Sequence, residues 1–479
     1  MPDSLWAFFG GQIRYMTDHG FEVEAVSSPG RFLTMFADRE QVPVHAVPMA
    51  RRINPGADLV ALVRLLCLLR RIRPHIVHAH TPKAGLLGML AARISGIPVR
   101  IYHIHGFPFL TAAGAKRRLL RAAETLSCRL ATRVLCVSRS VAELAVAEGV
   151  CPAGSVHVLA GGTINGIDAR TCFDPARVGS KAVAARRELY GIPADATVIG
   201  FVGRLVKDKG VAELEHAWRV LAGEFPALHL LVVGAIEDGD PVSADVLSAL
   251  RADARVHLAG EVADMPACYA IMDVLALPTY REGFPLVPLE ASAMEKPVVA
   301  SAVPGCTDAV LDGVTGTLVP AGDPVALAAA LRRYLDDPAL RARHGEAGRA
   351  RVLAEFRQDV VWSALLEDYR LLLAAAGVTV TDPPSAAPWM AKWISIASAS
   401  PKYQSVSPAT QKPAHTAMAP NTQPAAAGVA AAPPGCRANA RHRFTSIHRP
   451  AKRKPWPSNS PGTPQMAAMC GMLLCRWPK

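Results

Sequence analysis

The stretch DVLALPTYREGFPLVPLEA, residues 273–291, carries the most information in this chain. A β-branched and leucine-rich run ends at Pro278, a short loop holds Glu282, Gly283, Phe284 and Pro285, and a helix is expected to begin near Pro285. Proline suits the first helical position, where its missing N–H had no partner to lose. Gly283 lets the backbone approach a ligand closely. The free amides of a first helical turn, together with the helix dipole, make a seat for phosphate. Glu282 falls on the loop and Glu290 about a turn and a half into the helix, so each carboxylate can accept paired hydrogen bonds from vicinal hydroxyls, one set on a sugar and one on a ribose. Strand, loop and helix in this order, with ligand groups at the strand's carboxyl end, form the unit of a doubly wound parallel sheet.

The same unit recurs upstream in GFVGRLVKDKG, residues 200–210. Gly203 ends the strand, and Arg204 and Lys209 flank the turn before the next helix, two cations suited to a diphosphate and to stabilising it as a leaving group. The pattern is neither a Walker loop nor a GxGxxG fingerprint, so an ATPase or an NAD enzyme is not supported. Further outward, short apolar runs at 21–26, 76–80, 99–103, 133–137 and 156–159, then at 197–202, 228–233, 256–258, 274–277, 297–300 and 316–319, alternate with helical patterns such as 57–71, 83–95, 116–132, 211–224 and 324–335. This alternation predicts an α/β protein of two doubly wound, Rossmann-like domains facing across a cleft, at 1–175 and 176–376. In the first domain His105 precedes a glycine directly after a strand, and His78, His80 and Lys83 end the neighbouring strand. His78 and His80 raise the question of a metal, but no acidic third ligand stands at suitable spacing, and Asp238-Gly239-Asp240 reads as a turn-forming loop; no metal site is expected.

The termini depart from this rhythm. Gly10-Gly11 precedes a helix, yet residues 2–9 make a poor buried strand, so the first strand is expected to be either 5–9, short and irregular, or missing. Residues 383–479 hold sixteen of the 39 prolines and show no periodicity, which predicts a disordered tail; the segment from 377 on is set apart from both domains. That tail also explains the net charge of +12: it carries twelve of the 52 basic residues and none of the 40 acidic ones, leaving residues 1–382 balanced. The charge therefore gives no reason to expect a specific nucleic-acid partner for the folded part, although the cluster at 437–454 would be drawn to polyanions or anionic lipid. The ten cysteines show no CxxC, which points to free thiols in a reducing compartment. No apolar run reaches the roughly 18–20 residues that span a bilayer, and the first nine residues lack a basic signal segment, so a cytoplasmic protein is expected.

Together with PVVASAVPGCTDAVLDGVTGTLVP (297–320), HAHTPKAGLLGMLAA (78–92) and IHGF (104–107), these motifs make residues 10–376 resemble the family 4 retaining glycosyltransferases of GT-B fold. The first-domain motifs look most like the bacterial surface-polysaccharide subgroup that includes lipid-linked bacillosaminyl N-acetylgalactosaminyltransferases. The resemblance implies a nucleoside-diphosphate sugar, UDP-linked, bound by the second domain. Gly203, Arg204 and Lys209 would hold the diphosphate, and Glu290 the ribose. Glu282, with Gly283, Phe284, Pro285 and Leu286, would hold the donor sugar and phosphate. His105 would lie across the cleft near the transferred sugar, with Gly10, Gly11, His80 and Lys83 on the acceptor side. It further implies transfer with retention and no metal or other cofactor, a lipid-linked or polysaccharide acceptor, and a terminal helix at 356–373 returning to the first domain. A lipid-linked acceptor calls for the cytoplasmic membrane face. There Leu119, Ala123, Leu126 and Leu130 form one stripe of a helix within 116–133 that also bears Arg117, Arg118, Arg121 and Arg129. A nucleotide-sugar epimerase of similar shape is disfavoured by the E-x7-E spacing of Glu282 and Glu290, and an inactive nucleotide-sugar binder is the reading that an incomplete first strand leaves open.

Overall fold

The computed structural model describes residues 5–6, 8–49, 53–237, 240–379 and 471–477. Asp238 and the basic cluster at 437–454 lie outside these. The strands are β1 (Glu22–Ser27), β2 (Val44–Ala46), β3 (Ile76–His80), β4 (Val99–Ile104), β5 (Arg133–Cys136), β6 (Val156–His157), β7 (Thr197–Val202), β8 (Leu228–Val233), β9 (Val256–Gly260), β10 (Val274–Leu277), β11 (Val298–Ser301), β12 (Gly316–Val319) and β13 (Gly471–Arg476). They form two sheets, ordered β2-β1-β13-β3-β4-β5-β6 and β12-β11-β10-β7-β8-β9. Every pairing is parallel except those of β13. Strands such as β3 and β8 are buried along their whole length because helices cover both faces, which is why apolar residues predominate in them, with only histidines interrupting. Each sheet has an apolar cluster on either face.

Two expectations need correction at the termini. Leu5, Trp6 and Phe8 are helical rather than extended, so among the described residues of 5–9 no strand forms. The tail is not structureless throughout either. Residues 471–476 form β13, which fills the slot between β1 and β3 and runs antiparallel to both, with Leu473 opposite Ala25 and His78. Its side chains alternate faces as a strand requires: Met472 and Leu474 join one cluster, and Leu473, Cys475 and Trp477 the other. Arg476 pairs with Glu22 at 2.5 Å, and the Trp477 amide donates to His75 Nδ1 at 3.2 Å.

The helix Gln358–Ala375 follows the second domain but packs Leu365, Leu366, Tyr369 and Leu373 into the first domain's core. Trp362 Nε1 donates to Asn165 at 2.7 Å, and Arg133 pairs with Asp368 at 2.8 Å. Among the described residues no helix is long and apolar enough to cross a membrane.

Candidate active site

The loop after β10 sits where the two sheets' carboxyl ends meet. Pro285 is the cap residue, one position before the helix Leu286–Ala293, so the helix starts a residue later than the proline suggested. Gly283 is pressed so tightly against the first domain that a Cβ there would lie 1.9 Å from the His105 carbonyl oxygen. The Gly283 carbonyl accepts from Ser138 Oγ at 3.0 Å, and the Phe284 ring packs tilted against Phe356, centroids 5.5 Å apart. Asp308 reaches across from the helix Cys306–Ala309. Its carboxylate accepts from the Arg139 amide at 3.0 Å and from the Ser140 amide and hydroxyl, while the Gly305 amide donates to Ser140 Oγ at 2.7 Å. None of Ser138, Ser140 or Asp308 was singled out from the sequence; the fragments SRS and PGCTDA each follow a strand end, and that position was the available signal.

Glu282 and Lys209 form an ion pair with each other, both mostly buried. Arg204 pairs with Glu237 at 2.8 Å. Arg281, beside Glu282, pairs with Asp208 at 2.8 Å and donates across the domains to Thr111 at 3.3 Å. Asp240 supports the turn Lys207–Lys209, accepting from the Asp208 amide at 3.1 Å. Gly203 follows β7, with its carbonyl against Gly234. Glu290 accepts from Tyr269 Oη at 2.7 Å; burial raises its pKa, and the tyrosine's hydrogen bond offsets part of that rise.

On the first-domain side His105 Nε2 lies 3.1 Å from His80 Nδ1, and burial pushes the His105 imidazole down to about 3. His80 and His105 line a small pocket with Phe8, Phe9 and Ile164. Gly11 caps the helix Gln12–Asp18 in the left-handed region, φ 79°, and Gln12 ties that helix to Ile164 at 3.0 Å. The Gly10 carbonyl accepts from Asn165 at 3.1 Å. Lys83 is engaged elsewhere, paired with Asp58 at 2.8 Å. The structure therefore brings Lys209, Glu282, Gly283, His105 and His80 into one contiguous run, with Gly10 and Gly11 nearby, and directs Lys83 and Arg204 toward acidic partners of their own.

Two facing doubly wound domains whose sheet ends meet at such a run define a glycosyltransferase architecture. Residues 184–351 match the family model of group 1 glycosyl transferases, and residues 5–162 that of the glycosyl transferase 4-like domain. The capsular polysaccharide biosynthesis glycosyltransferase CapM of Staphylococcus aureus is 33% identical over 363 residues, 76% of this chain and 93% of that protein. The UDP-Gal:alpha-D-GlcNAc-diphosphoundecaprenol alpha-1,3-galactosyltransferase of Escherichia coli is 25% identical over 333 residues, 69% and 84% of the two chains. Two solved structures share the fold: a glycosyltransferase of Rickettsia africae (20% identity, TM-score 0.63, covering 73% of this chain and 89% of that one) and Anabaena HepE in complex with UDP (23%, 0.61, 72% and 90%). The chain belongs to the GT-B glycosyltransferases that join a glycosyl transferase 4-like domain to a group 1 domain, and it is a transferase enzyme whose relatives serve bacterial polysaccharide synthesis.

Proposed function

We propose that this enzyme moves a hexose from a UDP-sugar to a lipid-linked acceptor, with retention of anomeric configuration, at the cytoplasmic face of a membrane. The observation that carries this reading is the Lys209–Glu282 ion pair abutting the Gly283–His105 junction. An arriving diphosphate competes for the ammonium of Lys209 with two negative charges against one, and so frees the Glu282 carboxylate to accept from donor-sugar hydroxyls. Arg204 and Lys209 neutralise the leaving diphosphate, so the chemistry needs no metal there. Glu290 holds the ribose, and the loop amides at 283, 284 and 286 meet the distal phosphate and the sugar. His105 lies near the transferred hexose, and His80, Gly10 and Gly11 face the acceptor. Departure and attack on one face, with the leaving phosphate helping to take the acceptor's proton, fits this set of groups. The E. coli relative, whose name specifies UDP-Gal and a diphosphoundecaprenol acceptor, supports both partners. The motifs HAHTPKAGLLGMLAA and IHGF favour an N-acetylgalactosaminyl subgroup.

The helix Gly114–Leu130 supports the membrane face. Its buried side is Glu124, Ser127 and Cys128, while Leu119 and Leu126 are 55% and 44% exposed, so the expected apolar stripe turns partly outward. Arg118, Arg121 and Arg129 line an open groove beside it. The one acid on the helix, Glu124, points inward to Tyr102 at 2.5 Å, leaving the outer side basic and apolar.

The test is turnover of UDP-hexoses with membrane extract as acceptor, reading the product's anomeric configuration by NMR. An axial α linkage from an α donor is expected; a β product, or no UDP-sugar consumed by the folded protein, overturns the proposal. Binding to anionic but not neutral vesicles, lost when Arg118, Arg121 and Arg129 become Glu, tests the membrane face.

A further inference from the structure

β3 and β4 run side by side with His80 in register with His103, and His78 lies two residues before His80 on the same face. The three imidazoles are 1%, 3% and 7% exposed, with ring centroids 4.1 Å apart for His78 and His80 and 5.4 Å apart for each with His103. Each offers one ring nitrogen within 4.8 Å of the others. Counting ligands along the chain missed this group, because the third histidine comes from the next strand.

Hydrogen bonding at the cluster is incomplete in a consistent way. His78 Nε2, His80 Nε2 and His103 Nδ1 are buried and have no hydrogen-bond partner. Buried polar atoms without partners are uncommon, and three in one place call for an explanation. The opposite nitrogens of two of the rings are held. His78 Nδ1 lies 2.7 Å from Tyr369 Oη, and Tyr369 also hydrogen-bonds the Cys475 thiol. With the phenolic O–H directed at the sulfur, the Tyr369 oxygen is left to accept from His78 Nδ1–H, and His78 Nε2 is then a bare lone pair. His80 Nδ1 lies 3.1 Å from His105 Nε2, and in the tautomer in which Nδ1–H donates across that contact its own Nε2 is bare. A ligating histidine is oriented by just such a bond from its other nitrogen.

We propose that His78, His80 and His103 bind a divalent transition-metal ion, zinc as the reference case, through one nitrogen each. Three neutral imidazoles without a carboxylate suit zinc, cobalt or nickel and not magnesium or calcium. At metal–nitrogen bonds of about 2.0–2.1 Å, tetrahedral ligands stand about 3.3 Å apart, so the rings must close by about 1.5 Å, which small rotations about χ1 and χ2 provide. The fourth position is left to solvent or to His105, whose ring lies 5.0 Å from that of His103. The site shares His80 with the first-domain side of the cleft but uses neither Arg204 nor Lys209, and its existence does not depend on the donor assignment.

The full chain carrying Cys67→Ser and Cys172→Ser, which removes the exposed thiols among the described residues, together with Cys436→Ser and Cys470→Ser, which lie outside them, is loaded with Zn²⁺, passed through gel filtration and assayed for metal. One zinc per chain is expected, with X-ray absorption showing a nitrogen shell that includes imidazole. His103→Gln is expected to weaken binding at least 100-fold. Tyr369→Phe keeps all three ligands and is expected to weaken it by about 10–100-fold through loss of the orienting bond. No retained zinc in protein shown to be folded by circular dichroism, a sulfur shell, or unchanged affinity in both variants overturns the proposal. If His103→Gln does not fold, Tyr369→Phe and the absorption spectrum of the cysteine-substituted protein decide it.

Discussion

Replacing Leu474 or Leu473 by alanine tests whether the far end of the chain completes the first sheet. The two side chains are 1% and 2% exposed and face opposite sides of the sheet, Leu474 with Val77 and Met472, Leu473 with Phe21 and Tyr369. Truncating a buried leucine in a packed core costs roughly 2–5 kcal/mol, the transfer loss plus the cavity left behind. The same truncation in an unstructured tail costs nothing measurable. At about 2–4 °C per kcal/mol for a domain of this size, each variant should lower the melting temperature by roughly 4–20 °C. Arg476→Ala supplies the contrast: its ion pair with Glu22 is half exposed, so the expected loss is within about 1 kcal/mol. Hydrogen exchange should localise the loss, with amides at 22–27 and 76–80, the two flanks of β13, losing protection together. If both leucine variants unfold within about 0.5 kcal/mol of the parent, β13 does not occupy the slot and the reasoning fails.

Lys209→Ala and Glu282→Ala should each lower kcat by about 10²–10³-fold while the melting temperature stays within a few degrees; transfer at the parental rate by either variant removes that residue from the donor site. Gly283→Ala places a methyl 1.9 Å from the His105 carbonyl, which only a shift of the loop can relieve, so kcat should fall about 10²-fold; Gly179→Ala, which meets nothing within 4 Å, should leave it unchanged. Equal rates for the two glycine variants would contradict the close approach. Burial pushes the Glu124 carboxyl up to about 7 from an ordinary 4.5, partly countered by the Tyr102 hydrogen bond. A folded-state value above the unfolded one means that stability is fully present below pH 4.5 and is lost as pH rises through 7, by roughly 3 kcal/mol. Glu124→Gln should abolish that slope in denaturant unfolding from pH 4.5 to 8, and parallel curves for variant and parent would refute the assignment.

What the sequence disclosed was local. The unit at 273–291 reads correctly because strand, loop and helix are contiguous and each obeys its own periodicity, and the helices predicted at 57–71 and 211–224 appear as Pro55–Ile72 and Val211–Glu224. β13 escaped because its evidence lies in Met472–Leu474, a short apolar run averaged into nearly a hundred proline- and alanine-rich residues. An unbroken apolar run is the mark of a strand buried on both faces, but its partners lie about 400 and 450 positions away. The histidine cluster escaped for a related reason, since His103 meets His80 only through sheet register. At the clamp, residue types were legible and pairings were not: nothing in the spacing of Lys209 and Glu282 says that they neutralise each other.

The two junctions between the domains differ in kind, and that difference sets which one yields. At the cleft the contacts are polar: Ser138 to the Gly283 carbonyl, Ser140 to Asp308, and the Gly305 amide to Ser140. Each such hydrogen bond is worth about 0.5–1.5 kcal/mol net, because water replaces it on opening. At the other junction Leu365, Leu366, Tyr369 and Leu373 lie in the first domain's core, and each large side chain holds roughly 1.5–3 kcal/mol. Entry of a bulky donor should therefore part the serine–aspartate contacts while the helix Gln358–Ala375 stays seated. Asp308→Ala removes three of the cleft's acceptor contacts and should raise hydrogen exchange at 138–140 and 305 about tenfold, with exchange across 361–373 unchanged. Loosening of the helix amides to the same degree would show that the domains separate as a whole, and the polar junction would lose its role as the gate.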